Sequence, residues 1–205
     1  MTSVRPLRRP PPKDLPSLHG RAMDNLAFIR NTMEAAGSFT AVSGWGMVAI
    51  GILALIVAVI ASQVPSEAAA LNVWLAAAIL SPLLMIWAMV QKARAAKMPL
   101  LSGPGRKFVL SFSPPMFVGA VLTLVLYRAG FAVAIPGVWL LLYGTAVVAG
   151  GAFSVKIVPV MGLCFMAAGC VALFSPAAWN DWILGAAFGG LHIAFGIPIA
   201  RSHGG

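Results

Sequence analysis

Acidic side chains are scarce in this chain: five Asp and Glu stand among 205 residues, against 14 Lys and Arg. All five (Asp14, Asp24, Glu34, Glu67, Asp181) fall outside the apolar runs or at their ends. That leaves no carboxylate pair for general acid–base chemistry and no Asp or Glu at depth for a proton relay. Charge of either sign is also low, 9% of residues against about 25% in soluble domains. So few charges cannot cover the surface of a water-soluble domain. Cysteine is limited to Cys164 and Cys170, six residues apart in one apolar run. On a helix they stand about 120° apart around the axis, so they cannot pair, they form no CxxC motif, and they read as small packing residues.

Apolar residues are what the chain has in excess, 60% of the total. They gather in six runs, at about 44–62, 70–90, 108–127, 137–155, 157–174 and 179–200. Each is near the 20 residues with which a helix crosses about 30 Å of hydrocarbon. The expected fold is therefore all-α, a polytopic bundle of six transmembrane helices at 44–200 with a short C-terminus at 201–205. Pro114 and Pro115 lie about six residues inside the third run, which predicts a kinked helix or an irregular start there. Gly130 and the Pro136–Gly137 pair are expected to turn the chain into the fourth span.

Charge position gives the orientation. With the N-terminus cytoplasmic, Arg5, Arg8, Arg9, Lys13, Arg21, Arg30, Lys92, Arg94, Lys97, Arg106, Lys107, Lys156 and Arg201 all lie inside, 13 of the 14 cations, and only Arg128 lies outside. The positive-inside tendency favours this arrangement with both termini cytoplasmic. Tryptophans agree: Trp74, Trp139, Trp179 and Trp182 fall at outer helix ends and Trp45 and Trp87 near inner ones, as two interfacial belts would. The net charge of +9 is thus matched to an anionic inner leaflet, with Arg5, Arg8, Arg9, Lys13, Lys92, Arg94, Lys97, Arg106 and Lys107 as the membrane-surface set. No motif or aromatic-basic groove points to nucleic acid.

Residues 1–17 are rich in proline and arginine, which predicts a solvated basic tail in extended geometry. No apolar stretch of a secretory leader follows, so the first span is expected to act as an uncleaved anchor. Over 18–43 the chain reads as an amphipathic juxtamembrane helix and linker. Ala22, Leu26, Ile29, Met33 and Ala36 share one face, and Gly37 is the expected stop.

Candidate functional residues are few. His192 falls near mid-membrane, where an imidazole is expected to be neutral and hydrogen-bonded within the bundle. It is the one candidate for cofactor or ligand binding, and structural packing is its first reading. His19 and His203 lie in cytoplasmic segments, so no second ligand accompanies it, and no catalytic, metal or cofactor site is expected. Gly185 and Gly189 form a GxxxG pair, repeated one residue on by Ala186 and Gly190. Small residues four apart let helix backbones approach closely, within the bundle first and in a homodimer second. The loop 91–107 holds Gly103, Gly105 and a lysine but lacks the GxxxxGK[ST] spacing of a phosphate loop.

The segment 23–46, MDNLAFIRNTMEAAGSFTAVSGWG, resembles the juxtamembrane lead-in of an uncharacterised group of small bacterial multi-pass membrane proteins. The resemblance implies a bacterial inner membrane and carries over no activity and no functional residue. The expected function is that of a non-enzymatic membrane protein acting by protein–protein interaction, as an accessory subunit of a complex or a membrane partner of a cytoplasmic protein. The alternatives are a small transporter or channel for a neutral or apolar solute, and a cofactor-binding protein using His192.

Overall fold

The computed structural model describes Gly20, residues 23–29, Met33, 42–95 and 103–203. The chain divides into two units, one ending at Ala36 and one beginning at Gly37. In the first, Gly20, residues 23–29 and Met33 are helical, with Met23, Leu26, Phe28, Ile29 and Met33 all exposed. The rest of the helix expected over 18–36, and the basic tail, lie outside the described residues.

The second unit holds six helices long and apolar enough to cross a membrane. They are α1 (Gly44–Ala61), α2 (Glu67–Ala95), α3 (Gly103–Arg128), α4 (Ile135–Gly151), α5 (Ile157–Phe174) and a composite α6. The last runs through Asn180–Leu184, a π-helical stretch Gly185–Leu191, and His192–His203. No strand occurs among the described residues. This is the multi-pass helical bundle that the apolar runs predict.

Local chemistry sets the boundaries. Ser43 caps α1, its hydroxyl accepting from the Gly46 amide at 3.1 Å while itself 3% exposed. α2 continues past its apolar run so that Lys92 and Arg94 sit in the last turn and Glu67 in the first, each favourable to the helix dipole. Gly130 adopts φ 76°, a left-handed turn open to glycine. A single 3₁₀ turn, Ala132–Ala134, then leads into α4. Pro136 lies inside the first turn of α4 rather than in the connection, because its missing N–H costs nothing there.

The third span differs from expectation. α3 is one helix of 26 residues, beginning at Gly103 and passing through Pro114 and Pro115 without a break in helical structure. Starting early gives it about 39 Å of length, enough to cross with both prolines inside. The Ser113 hydroxyl donates to the Val109 carbonyl at 2.9 Å, one turn back, adding a bond where the prolines supply no amide.

Two close helix pairs form the centre of the bundle. On α1, Gly44 lies against Gly196 and Ala200 of α6, and a Cβ at Gly51 would come 2.8 Å from the Gly189 carbonyl. On α4, a Cβ at Gly144 would come 2.6 Å from the Gly162 carbonyl of α5, and the reverse contact is 2.7 Å. Glycine at these positions is what permits backbone-to-backbone approach. The remaining two helices are flanks: α2 packs on α1, with Ala88 against Gly46, and α3 packs on α4. Only 11% and 6% of their apolar stretches are buried, against 33–50% for the other four, so lipid or another protein must cover the rest.

Candidate functional site

The two glycine-packed pairs meet through large side chains. α4 contributes Tyr143, α5 contributes Phe165, and α6 contributes Phe188 and His192, one turn apart. Tyr143 contacts Phe165 edge-on at 4.8 Å between ring centroids and Phe188 at 5.2 Å, and Phe165 lies 5.3 Å from the imidazole. α3 extends the cluster through Phe112, edge-on to Tyr143 at 6.0 Å and stacked on Phe108 at 5.6 Å. Such edge-on pairs place the positive ring edge against a negative face and stabilise beyond their buried area.

His192 sits inside this cluster at 2% exposure. Its Nδ1 lies 2.7 Å from the Phe188 carbonyl oxygen, and its Nε2 lies 2.7 Å from the Tyr143 hydroxyl. A carbonyl can only accept, so the ring is assigned its proton on Nδ1, and a neutral Nε2 then accepts from the Tyr143 O–H. Both ring nitrogens are thereby satisfied without water, as a polar group in hydrocarbon requires. The backbone places the ring through the π segment: the His192 amide bonds to the Gly189 carbonyl, while the ring takes the carbonyl of Phe188. π-helical turns of this kind are frequent at functional sites.

This arrangement ties the helices together, and neither ring nitrogen is open to a ligand while the Tyr143 bond is made. Among the described residues no three His, Cys, Asp or Glu side chains cluster as metal ligands would. His203 ends α6, and His19 lies outside the described residues. Cys164 is half-buried and Cys170 exposed, and both are free thiols.

The two small-residue pairs have different surroundings. Gly185 lies against the Ala58 methyl and Gly189 against the Leu55 side chain, both on α1. Ala186 and Gly190 are exposed, and a Cβ at Gly190 would meet nothing within 4 Å. Of the basic set, Lys92 is half-buried and donates to the Val42 carbonyl at 3.0 Å. Arg94 and Arg106 are exposed, as is Lys107, whose Nζ lies 5.9 Å from the Phe153 ring centre. Arg5, Arg8, Arg9, Lys13 and Lys97 lie outside the described residues.

Three polar partners escaped the sequence reading. Tyr143 is the first, although a hydroxyl at the centre of an apolar span signals a need for a partner. The second is the bond from Trp74 Nε1 to Asp181 Oδ1, 2.8 Å, which ties α2 to the start of α6. The third is Trp139 Nε1 donating to Thr123 Oγ1 at 2.7 Å, with Thr123 donating in turn to the Gly119 carbonyl. Trp74 is only 5% exposed, so it turns into the bundle, while Trp45, Trp87, Trp179 and Trp182 are outward-facing at 58–63%. No protein-family model, curated protein or solved structure matches the chain.

Proposed function

We propose that this multi-pass membrane protein acts without chemistry of its own, through contact with another protein in or at a bacterial inner membrane, with its basic end cytoplasmic. The observation that carries this reading is the closure of His192. The imidazole at depth in the spans has both nitrogens engaged and aromatic rings packed around it, so it acts as a rivet between helix pairs. The flank helices add support. Leu83 on α2 and Phe117 on α3 are 59% and 72% exposed, on faces that only lipid or a partner can cover. The basic segment 1–43 offers a second contact for a cytoplasmic protein.

Site-specific photo-crosslinking in native membranes tests the proposal. Probes at Leu83 and Phe117 are expected to give one protein adduct of reproducible mass, and a probe at Val160 of α5 none. Purification of the chain only as a lone monomer with lipid adducts at all three positions overturns it. Passage of a neutral or apolar solute is the second reading, favoured by the π turn at Gly185–Leu191, which leaves α6 irregular beside the cluster. It requires the Tyr143–His192 bond to open, and solute flux into liposomes carrying the purified chain would decide for it.

A further inference from the structure

The end of the bundle where α1, α3 and α5 begin and α2, α4 and α6 finish carries a recess of about 510 Å³. It lies between the α4–α5 turn (Ser154, Lys156, Ile157) and the end of α6 (Pro198, Ile199, Ser202). Its volume falls within the range of ordinary ligand clefts. Lys156 and Ser202 are exposed, so an ammonium and a hydroxyl are presented at its mouth, with aliphatic side chains forming much of the wall. α5 opens at Ile157 on the recess; the Lys156 side chain makes no cap bond there, Val158 already donates to the Val155 carbonyl, and Pro159 carries no N–H. The positive end of that helix dipole adds to the charge of Lys156.

Within residues 42–203 the surroundings are cationic. Arg201 adjoins Ser202 and is exposed, and Lys107 rests over Phe153 on the same α4–α5 turn. Within 42–203 the only carboxylates are Glu67 and Asp181. Glu67 opens α2 at the opposite end, and Asp181 is bonded to Trp74 there. No acidic side chain within 42–203 lies at the end that bears Lys156, so the recess favours an anion. A hydrated inorganic phosphate would use the ammonium but not the apolar wall of Val155, Ile157, Pro198 and Ile199. An amphiphile with a phosphate beside a glycerol and acyl chains uses both.

We infer that this recess binds the headgroup phosphate of an anionic phospholipid. Lys156 supplies the counter-charge, the Ser202 hydroxyl supplies a donor, and the aliphatic wall covers the glycerol region. The inference is independent of the proposed protein contact, since it concerns a lipid and a different face.

Native mass spectrometry of the purified full chain in detergent, titrated with phosphatidylglycerol or phosphatidylcholine, tests it. Wild type is expected to retain phosphatidylglycerol in preference. Lys156→Gln should retain it about fivefold less, the loss of one cation near an anionic surface, and Lys156→Arg should restore it. Arg94→Gln, at the same end but outside the recess, should leave retention unchanged. Unfolding midpoints without lipid establish that each variant is folded. Equal loss in Lys156→Gln and Arg94→Gln would reduce the effect to diffuse surface attraction and overturn the site. Equal retention of the two lipids would overturn it as well. Displacement of phosphatidylglycerol by millimolar inorganic phosphate, in wild type only, would overturn the lipid assignment in favour of a soluble phosphate.

Discussion

The Tyr143 hydroxyl and His192 Nε2 lie 2.7 Å apart, and through this bond α4 is fastened to α6 at the centre of the bundle. Tyr143→Phe keeps the ring contacts with Phe165 and Phe188 and removes only the donor. The imidazole Nε2 is then buried without a partner, which costs about 1–2 kcal/mol. The thermal unfolding midpoint in detergent should fall accordingly. In a His192→Leu background the same substitution should cost almost nothing, because the acceptor is already gone. A double-mutant cycle reads the difference as coupling; additivity of the two substitutions would mean that the bond is not made in the membrane.

Gly144 and Gly190 are both glycines in spanning helices, but only the first is in contact. A Cβ at Gly144 would come 2.6 Å from the Gly162 carbonyl, a backbone atom that cannot turn aside. Gly144→Ala must push α4 and α5 apart and is expected to destabilise by about 1–3 kcal/mol. Gly190→Ala places its methyl in open space and should be neutral, or stabilising by up to about 1 kcal/mol through helix propensity. Unfolding in detergent distinguishes them. A large loss for Gly190→Ala would instead point to a partner helix seated on that face.

The contrast between those two glycines marks where sequence stops being legible. Six spans could be read because hydrocarbon demands long apolar runs, and the run is a local property. Their ends were harder, since Lys92, Arg94 and the Gly103–Lys107 turn extend α2 and α3 beyond the apolar stretch, with cations reaching toward the interface. The depth of His192 was also a local count. Its partner was not, because Tyr143 lies 49 residues earlier and reaches it only through the packing of α4 on α5 and α6. Nor could spacing tell which pair, Gly185–Gly189 or Ala186–Gly190, turns inward. A π segment changes the number of residues per turn, so α-helical periodicity does not carry across it.

Trp74 and Asp181 are joined at the end of the bundle opposite Lys156, 107 residues apart in sequence and 2.8 Å apart in space. The indole is 5% exposed, so its N–H has little access to water if the carboxylate is lost. Asp181→Ala is expected to cost about 1–2 kcal/mol, and Asp181→Asn less, since its amide oxygen still accepts. In a Trp74→Phe background Asp181→Ala should become nearly silent. Unfolding midpoints of the four variants test this. Equal effects in both backgrounds would show that Asp181 acts elsewhere, on solubility or orientation.

Orientation is expected to follow where the cations stop. Among the described residues of 42–203 the end bearing Lys156 also holds Lys92, Arg94, Arg106, Lys107 and Arg201, while the other end holds Arg128 alone. Translocating that many charges is unfavourable, so the crowded end is expected to stay cytoplasmic. Single cysteines in a Cys164→Ser, Cys170→Ser background report the sides, because Glu67 and Arg94 are both exposed at opposite ends of α2. Glu67→Cys should react with a membrane-impermeant maleimide in intact cells, and Arg94→Cys only after permeabilisation. Replacing Lys92, Arg106, Lys107 and Lys156 together with glutamine removes four of the 13 cations assigned to the inner side and should raise the fraction of Arg94→Cys labelled from outside. Labelling of Arg94→Cys from outside without those changes would reverse the topology. It would also move the recess beside Lys156 to the outer leaflet.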